Sequence, residues 1–296
     1  MLSYTDCKLC PRACGADRTA GKRGFCQMPA QAHAAAAILH YGEEPAIAAF
    51  GGAGAVFFSG CTLRCAYCQN YAVSAEGFGF PVDSGKLREI FLKLIEDGAD
   101  CIDLVTPTQF LPDILPALTP KLPVPVVYNC GGYESLETIR ALEGYIDIYL
   151  PDFKYSDAAL AKRLSAAEDY PEVAEAAIRE MQRQVGAPVF DGERLTRGVL
   201  IRHLVLPGCT DNSLGVLDRL SAMFRPGEVL LSLMSQYTPM GALANTPPFD
   251  RGVTEEEYAA VLSWAELCGL RDGFRQDASA AGREYVPRFD GSGVIF

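Results

Sequence analysis

The 296-residue sequence predicts an α/β fold, a curved parallel sheet with helices outside it, wound as a full or partial TIM-type barrel. Three observations carry that prediction. From residue 56 onward, short apolar runs alternate with segments of helical periodicity. Six such runs can be counted as strands, each followed by helical sequence. Polar or unusual residues gather just after these runs, where barrel folds place their ligands.

The elements follow in order. Val56, Phe57 and Phe58 form a short buried strand stopped by Ser59 and Gly60. Residues 83–96 have helical periodicity, with Asp83 or Ser84 as N-cap and Gly98 just past the end. Residues 101–106 are the second strand, 112–118 a short helix and 124–129 the third strand. Residues 135–143 are a helix closed by Gly144, and 146–150 are the fourth strand. Helices are expected over 158–164 and 171–185, Pro171 suiting a first helical position. Residues 199–206 are the fifth strand, 213–224 a helix and 229–234 the sixth strand. Residues 254–268 form a helix with a capping box, Thr254 and Glu257, and Gly269 at its end.

The strand ends read Thr106-Pro107-Thr108-Gln109, Asn129-Cys130-Gly131-Gly132, Pro151-Asp152-Phe153-Lys154, Pro207-Gly208-Cys209-Thr210-Asp211 and Ser235-Gln236-Tyr237. The fifth strand also carries Arg202 and His203. Any one of these ends is ordinary turn chemistry. Their agreement points to a ligand mouth.

The first strand ends on three cysteines, Cys61, Cys65 and Cys68, at spacing C-x3-C-x2-C. Thiols on one loop can surround an iron–sulfur cluster, which is usually held by four cysteines. Three ligands leave one iron open, as catalytic zinc sites keep an open position. The competing reading, buried small hydrophobes or half of a zinc site, fits this compact spacing less well.

Residues 1–30 carry a second set, Cys7, Cys10, Cys14 and Cys26. The segment has few large apolar residues, so a bound metal would supply its missing cross-link. Four cysteines suit a structural zinc site or a second [4Fe–4S] cluster. Residues 31–55 link the two cysteine sets. His33, His40 and Glu43-Glu44-Pro45 stand out there without an assigned role; residues 46–50 look like a strand, and 51–54 a glycine turn. We divide the chain into a segment 1–50 and a barrel 51–296. The apolar end of the tail, residues 290–296, is expected to dock at an unspecified place.

Bulk composition narrows the partners. No run of about eighteen apolar residues appears, so no membrane span is expected. The start lacks a basic, then apolar, signal pattern, so the cytoplasm is the default location. Eleven cysteines there argue for metal ligation over disulfides. A net charge of −11 argues against a nucleic-acid partner.

The run from Cys61 to Cys68, CTLRCAYC, resembles the C-x3-C-x-aromatic-C signature of the radical SAM enzymes. That resemblance implies the partial (β/α)6 barrel. It implies a [4Fe–4S] cluster on Cys61, Cys65 and Cys68, with S-adenosylmethionine on the open iron and Tyr67 against its adenine. Residues 56–237 are similar to the branch of pyruvate formate-lyase activating enzyme. Asp152 and Lys154 match its Asp-x-Lys, and Ile201-Arg202 with Pro207-Gly208 match its fifth strand. By that likeness Arg202 would hold the cofactor carboxylate, a task suited to its fork of donors. Asn129 and Cys130 stand where the branch binds a monovalent cation, and Asn129 lacks the charge. Thr106 and Thr108 replace a Gly-Gly-Glu run, and we place them near the methionine moiety. Gln236 or Tyr237 stands where the branch has a histidine. No cysteine lies between Asn70 and Asp100, where many activases insert ferredoxin-like clusters.

The resemblance implies reductive cleavage of S-adenosylmethionine to a 5′-deoxyadenosyl radical that abstracts hydrogen. It also implies a flavodoxin- or ferredoxin-type donor and a glycyl-radical protein as partner. Modification of a small molecule or peptide shares every cofactor residue. The reading from another class, a zinc-binding interaction protein, predicts a colourless protein with zinc and no iron.

Overall fold

The computed structural model describes residues 2–276 and 287–295. The strands are β1 (Ala32–His40), β2 (Ala53–Phe58), β3 (Phe80–Val82), β4 (Cys101–Val105), β5 (Val126–Cys130), β6 (Ile148–Pro151), β7 (Val189–Asp191), β8 (Arg194–Leu204), β9 (Leu230–Met234) and β10 (Gly273–Arg275). The helices are α1 (Tyr71–Ser74), α2 (Ser84–Glu96), α3 (Leu111–Ala117), α4 (Leu136–Ala141), α5 (Ala158–Ser165), α6 (Tyr170–Val185), α7 (Thr210–Met223) and α8 (Glu255–Leu267). The sheet order is β10-β9-β8-β6-β5-β4-β2-β1-β3, with β7 paired to β8. The six expected strands, β2, β4, β5, β6, β8 and β9, run parallel in sequence order. The strand path has two ends, so the barrel is partial.

Several elements depart from the sequence reading, among them the short β3, β7 and α1, which it did not include. Residues 46–50 are turn and bend, not strand. Ala46 and Ile47 instead plug the barrel floor beside Ala53, Cys101, Val127, Ile148, Leu200 and Leu230, inward residues of the parallel strands. The true strand is β1, which pairs antiparallel with β2. Its run of four alanines has no apolar alternation, and alanine is a poor strand former. Tertiary packing settles it, because Ala34, Ala35 and Ala36 are fully buried. Strand β10 is a further addition, pairing parallel with β9 after α8.

The two termini pack against the barrel. In the tail, Gly291 N donates to Ala35 O at 3.0 Å, and Ala37 N donates to Ser292 O at 2.8 Å. The tail therefore occupies the part of the β1 edge that β3 leaves open, which removes an exposed row of backbone groups. Phe296 lies outside the described residues. At the other terminus Tyr4, Cys7, Leu9 and Met28 join the same core as the barrel helices. Thr138 Oγ1 donates to Leu9 O at 2.9 Å, and buried Arg18 donates to Gln109 O at 2.6 Å. No helix among the described residues is long and apolar enough to cross a membrane.

Candidate functional site

Alternate residues of a strand face opposite sides. With Cys101, Val127, Leu150 and Leu200 facing inward at the floor, parity turns Asp103, Asn129, Asp152 and Arg202 inward at the next inward position of each strand. Register brings them together: Val105 pairs with Asn129, Asp152 bridges to Arg202, and Arg202 pairs with Ser232. Above this level a cavity of about 530 Å³ extends to the cysteine loop. It is lined by Cys61, Cys65, Tyr67, Cys68, Thr106, Asn129, Asp152, Lys154, Arg202, Gln236 and Tyr237, among others. Eleven residues from five strand ends and one loop thus share one chamber.

Arg202 organises the charges. Its Nε donates to Asp152 Oδ1 at 3.0 Å, Nη1 to Glu43 Oε1 at 3.2 Å and Nη2 to Asn129 Oδ1 at 2.5 Å. A guanidinium has five N–H donors, so two remain for a ligand. Lys154 Nζ donates to the other oxygen of Asp152 at 2.5 Å. Burial opposes ionisation of Asp152, but the charges of Lys154 and Arg202 outweigh it and hold the carboxyl below its ordinary value. Asn129 Nδ2 donates to Glu43 Oε2 at 3.1 Å and Asp103 Oδ2 at 3.2 Å. Asp103 is fully buried, and its Oδ1 receives no hydrogen bond. Burial first, then the neighbouring Glu43, push Asp103 well above the usual carboxylate range. Burial and Glu43 likewise raise Glu44 to about 7.

Glu43 and Asp103 were not assigned by the sequence reading. Asp103 left a signal, a carboxylate inside the apolar run CIDLV at an inward position. Glu43 stands out in sequence only as part of Glu43-Glu44-Pro45 and without a role, because only the fold brings its loop to Arg202. Thr108 takes a different place from Thr106. Thr106 lines the cavity, in a left-handed conformation with φ 58°. Thr108 is buried outside it, at 2.9 Å from the Tyr128 hydroxyl and donating to Glu134 Oε1 at 3.0 Å. His203 is a satisfied core histidine. Its ring nitrogens meet Phe153 O at 2.7 Å and Ser213 Oγ at 2.8 Å, and burial lowers it to about 4.

The cysteine loop is shaped by close contacts. Gly60 has φ 74°, and a Cβ there would lie 2.4 Å from Met28 Cγ and 2.9 Å from Cys26 O. Only glycine fits such a place. Cys65 Sγ accepts from Ser165 Oγ at 3.0 Å, and Cys61 Sγ from Leu63 N at 3.3 Å. Burial, then the charge of Cys65, pushes the Cys61 thiol up to about 12, and burial raises Cys68. The aromatic rings of Tyr67 and Tyr237 lie 6.2 Å apart across the cavity wall. Gln236 lines the cavity and accepts from Gln276 Nε2 at 3.2 Å.

In the N-terminal set, Cys7 is buried, Cys10 and Cys26 are half-buried, and Cys14 is exposed. Gly24 leaves room for Cys14, whose Sγ is 2.4 Å from where a Cβ would stand. Cys10 is raised to about 12 by burial, with Glu134, Cys26 and Cys7 adding to it. Among the described residues, no three His, Cys, Asp or Glu side chains are gathered as a ready single-ion site. A four-iron cluster makes a different demand, since each thiolate binds its own iron and the sulfurs stand further apart than around one ion. Cys61, Cys65, Cys68 and the Arg202 guanidinium line the same chamber, and thiolates and a guanidinium are the donor types suited to an iron–sulfur cluster and to a carboxylate.

Comparison with known proteins gives the fold and little more. The chain is 28% identical to an uncharacterized protein of Methanocaldococcus jannaschii over 281 residues, 90% of this chain and 76% of that one. No protein-family model matches. Streptococcus suis SuiB shares the fold. Its crystal structure bound to the precursor peptide SuiA matches with a TM-score of 0.51 at 12% identity, over 74% of this chain and 46% of SuiB. SuiB bound to S-adenosylmethionine matches equally, at TM-score 0.51, over 48% of its length. The chain thus corresponds to about half of SuiB.

Proposed function

We propose that the chain is a radical SAM enzyme. The observation that carries the proposal is the meeting of Cys61, Cys65 and Cys68 with Arg202, Asn129 and Asp152 around one cavity. The three thiolates would hold a [4Fe–4S] cluster, and the cavity would take S-adenosylmethionine. When bound, the pair supplies a one-electron source and a carbon radical able to remove hydrogen. The chain's residues bind, orient and keep water out. Arg202 has two donors for a carboxylate, while Asp152, Asn129 and Glu43 hold its plane fixed. Lys154 keeps Asp152 charged. Tyr67 offers an apolar ring for an adenine, and Phe57, Phe58, Leu63 and Met234 make walls that exclude water.

For the substrate, the reading supported by Asp152-Phe153-Lys154, Ile201-Arg202 and Pro207-Gly208 is a glycyl-radical protein partner, with a flavodoxin- or ferredoxin-type donor. Peptide modification is the second reading, favoured by the fold shared with SuiB, a protein described with a bound precursor peptide. Cys7, Cys10, Cys14 and Cys26 would hold zinc or a second cluster. Anaerobic reconstitution tests the core of the proposal. We expect about four irons per chain for one cluster, or about eight for two, with matching sulfide. Replacing Cys61, Cys65 and Cys68 together by alanine should remove four irons and abolish S-adenosylmethionine cleavage. A colourless wild-type protein holding zinc and no iron overturns it. Electron paramagnetic resonance then separates the substrates: a protein glycyl radical supports the first reading, and a modified peptide without one supports the second.

A further inference from the structure

We propose that Ser165 tunes the reduction potential of the cluster through Cys65, and that Arg12 of the N-terminal segment holds Ser165 in place. This rests on the cluster assignment above. Ser165 is the last residue of α5 and is buried. A serine in a final helical turn ordinarily bonds back to a carbonyl of its own helix. Here its hydroxyl is aimed out of the helix, donating to Cys65 Sγ at 3.0 Å. The Tyr155 hydroxyl lies 2.7 Å from Ser165 Oγ. Tyr155 gives its one proton to the Tyr67 hydroxyl at 2.9 Å, so toward Ser165 it is an acceptor and competes with Cys65 for the serine proton; a thiolate only accepts, so its charge draws that proton to sulfur.

The helix end and the cysteine loop are lashed together at three further points. Ala66 N donates to Leu164 O at 2.9 Å. Arg12 Nε donates to Thr62 O at 3.0 Å, inside the cysteine loop. Arg12 Nη2 donates to Ser165 O at 2.7 Å, and Nη1 donates to Ala166 O. The guanidinium lies over Phe25, 3.9 Å from the ring centre, and 5.0 Å from that of Tyr133. Helix C-termini leave carbonyls without intrahelical partners, and Arg12 satisfies two of them. Ala166 ends the helix with φ 51°, a left-handed conformation that a residue with a Cβ adopts only when its surroundings enforce it. The backbone that carries Ser165 is therefore held from outside the barrel.

Hydrogen bonds to the sulfurs are among the factors that set cluster potentials. A donated proton stabilises the reduced, more negative state, so Ser165 makes the cluster easier to reduce. The test is a redox titration of the anaerobically reconstituted protein followed by electron paramagnetic resonance. Ser165→Ala should bind as much iron as wild type and titrate at a lower midpoint potential. Tyr155→Phe removes the competing acceptor and leaves the serine proton to sulfur, and should shift the midpoint upward, by less. Equal midpoints in wild type, Ser165→Ala and Tyr155→Phe, at equal iron content, overturn the inference and leave the enzyme reading intact. A wild-type chain that assembles no cluster overturns both. If Ser165→Ala does not fold, Tyr155→Phe decides alone.

Discussion

Glu134 shows what a single buried side chain does to the pH dependence of this fold. Burial pushes its carboxyl up to about 8, against hydrogen bonds from Thr108, Tyr128 and Cys130. The ordinary value is 4.5. Stability from the protonated carboxyl is therefore complete below pH 4.5 and is lost as pH rises through 8, on the order of a few kcal/mol. Glu134→Gln cannot ionise. Its stability relative to wild type should rise between pH 5 and pH 9, as measured by urea denaturation. His203 has the opposite slope. Its folded value of about 4 lies below the ordinary 6.5, so the unfolded chain binds the extra proton between them. Stability falls as pH drops through that window, by about 3 kcal/mol at most. His203→Gln should flatten the acid side of the profile and leave the alkaline side alone. Both side chains are polar residues in a sequence that says nothing of their burial.

Helix ends were the most legible elements, because a cap is a local pattern with a local cause. Asp83 caps α2 by accepting from Lys86 N at 2.8 Å, and Ser135 caps α4. The box at α8 forms in full: Thr254 Oγ1 accepts from Glu257 N at 3.2 Å, and Glu257 accepts from Thr254 N at 2.9 Å. Thr254→Ala should cost about 1 kcal/mol in denaturant unfolding, and Thr254→Ser should recover most of it. Glu257 has wider duties, accepting from Gly208 N at 2.7 Å and pairing with Arg251 at 2.7 Å. Its removal also frees the loop after β8. Strand β1 was the least legible element. Its alanines carry no periodic signal, and its place follows from β2 on one edge and from β3 and the tail on the other.

At the scale of the molecule, both termini converge on the barrel. The tail pairs with β1, and the four-cysteine segment packs behind the cysteine loop, with Cys26 O against Gly60. Arg12 is the clearest link between segment and barrel. Arg12→Ala removes three hydrogen bonds from a charged donor and its stacking on Phe25. We expect a loss of about 3 kcal/mol in unfolding, and faster loss of iron from the reconstituted protein in air. Arg12→Lys should behave nearly as Arg12→Ala, since an ammonium cannot span the carbonyls of Thr62, Ser165 and Ala166 with a planar fork. Equal stability and equal iron retention in wild type and Arg12→Ala would show that the segment is not a support for the loop.

The sequence by itself determined the parallel order of six strands, the helix caps and the three-cysteine loop at the end of β2. Each of these depends on residues close in the chain, where periodicity and spacing act directly. Only the tertiary structure decided that Glu43 and Asp103 join Arg202, that Thr108 turns away from the cavity Thr106 faces, and that Ser165 touches Cys65. Those contacts span from 20 to 159 residues of sequence. They depend on strand register and on where loops land, which no local pattern encodes.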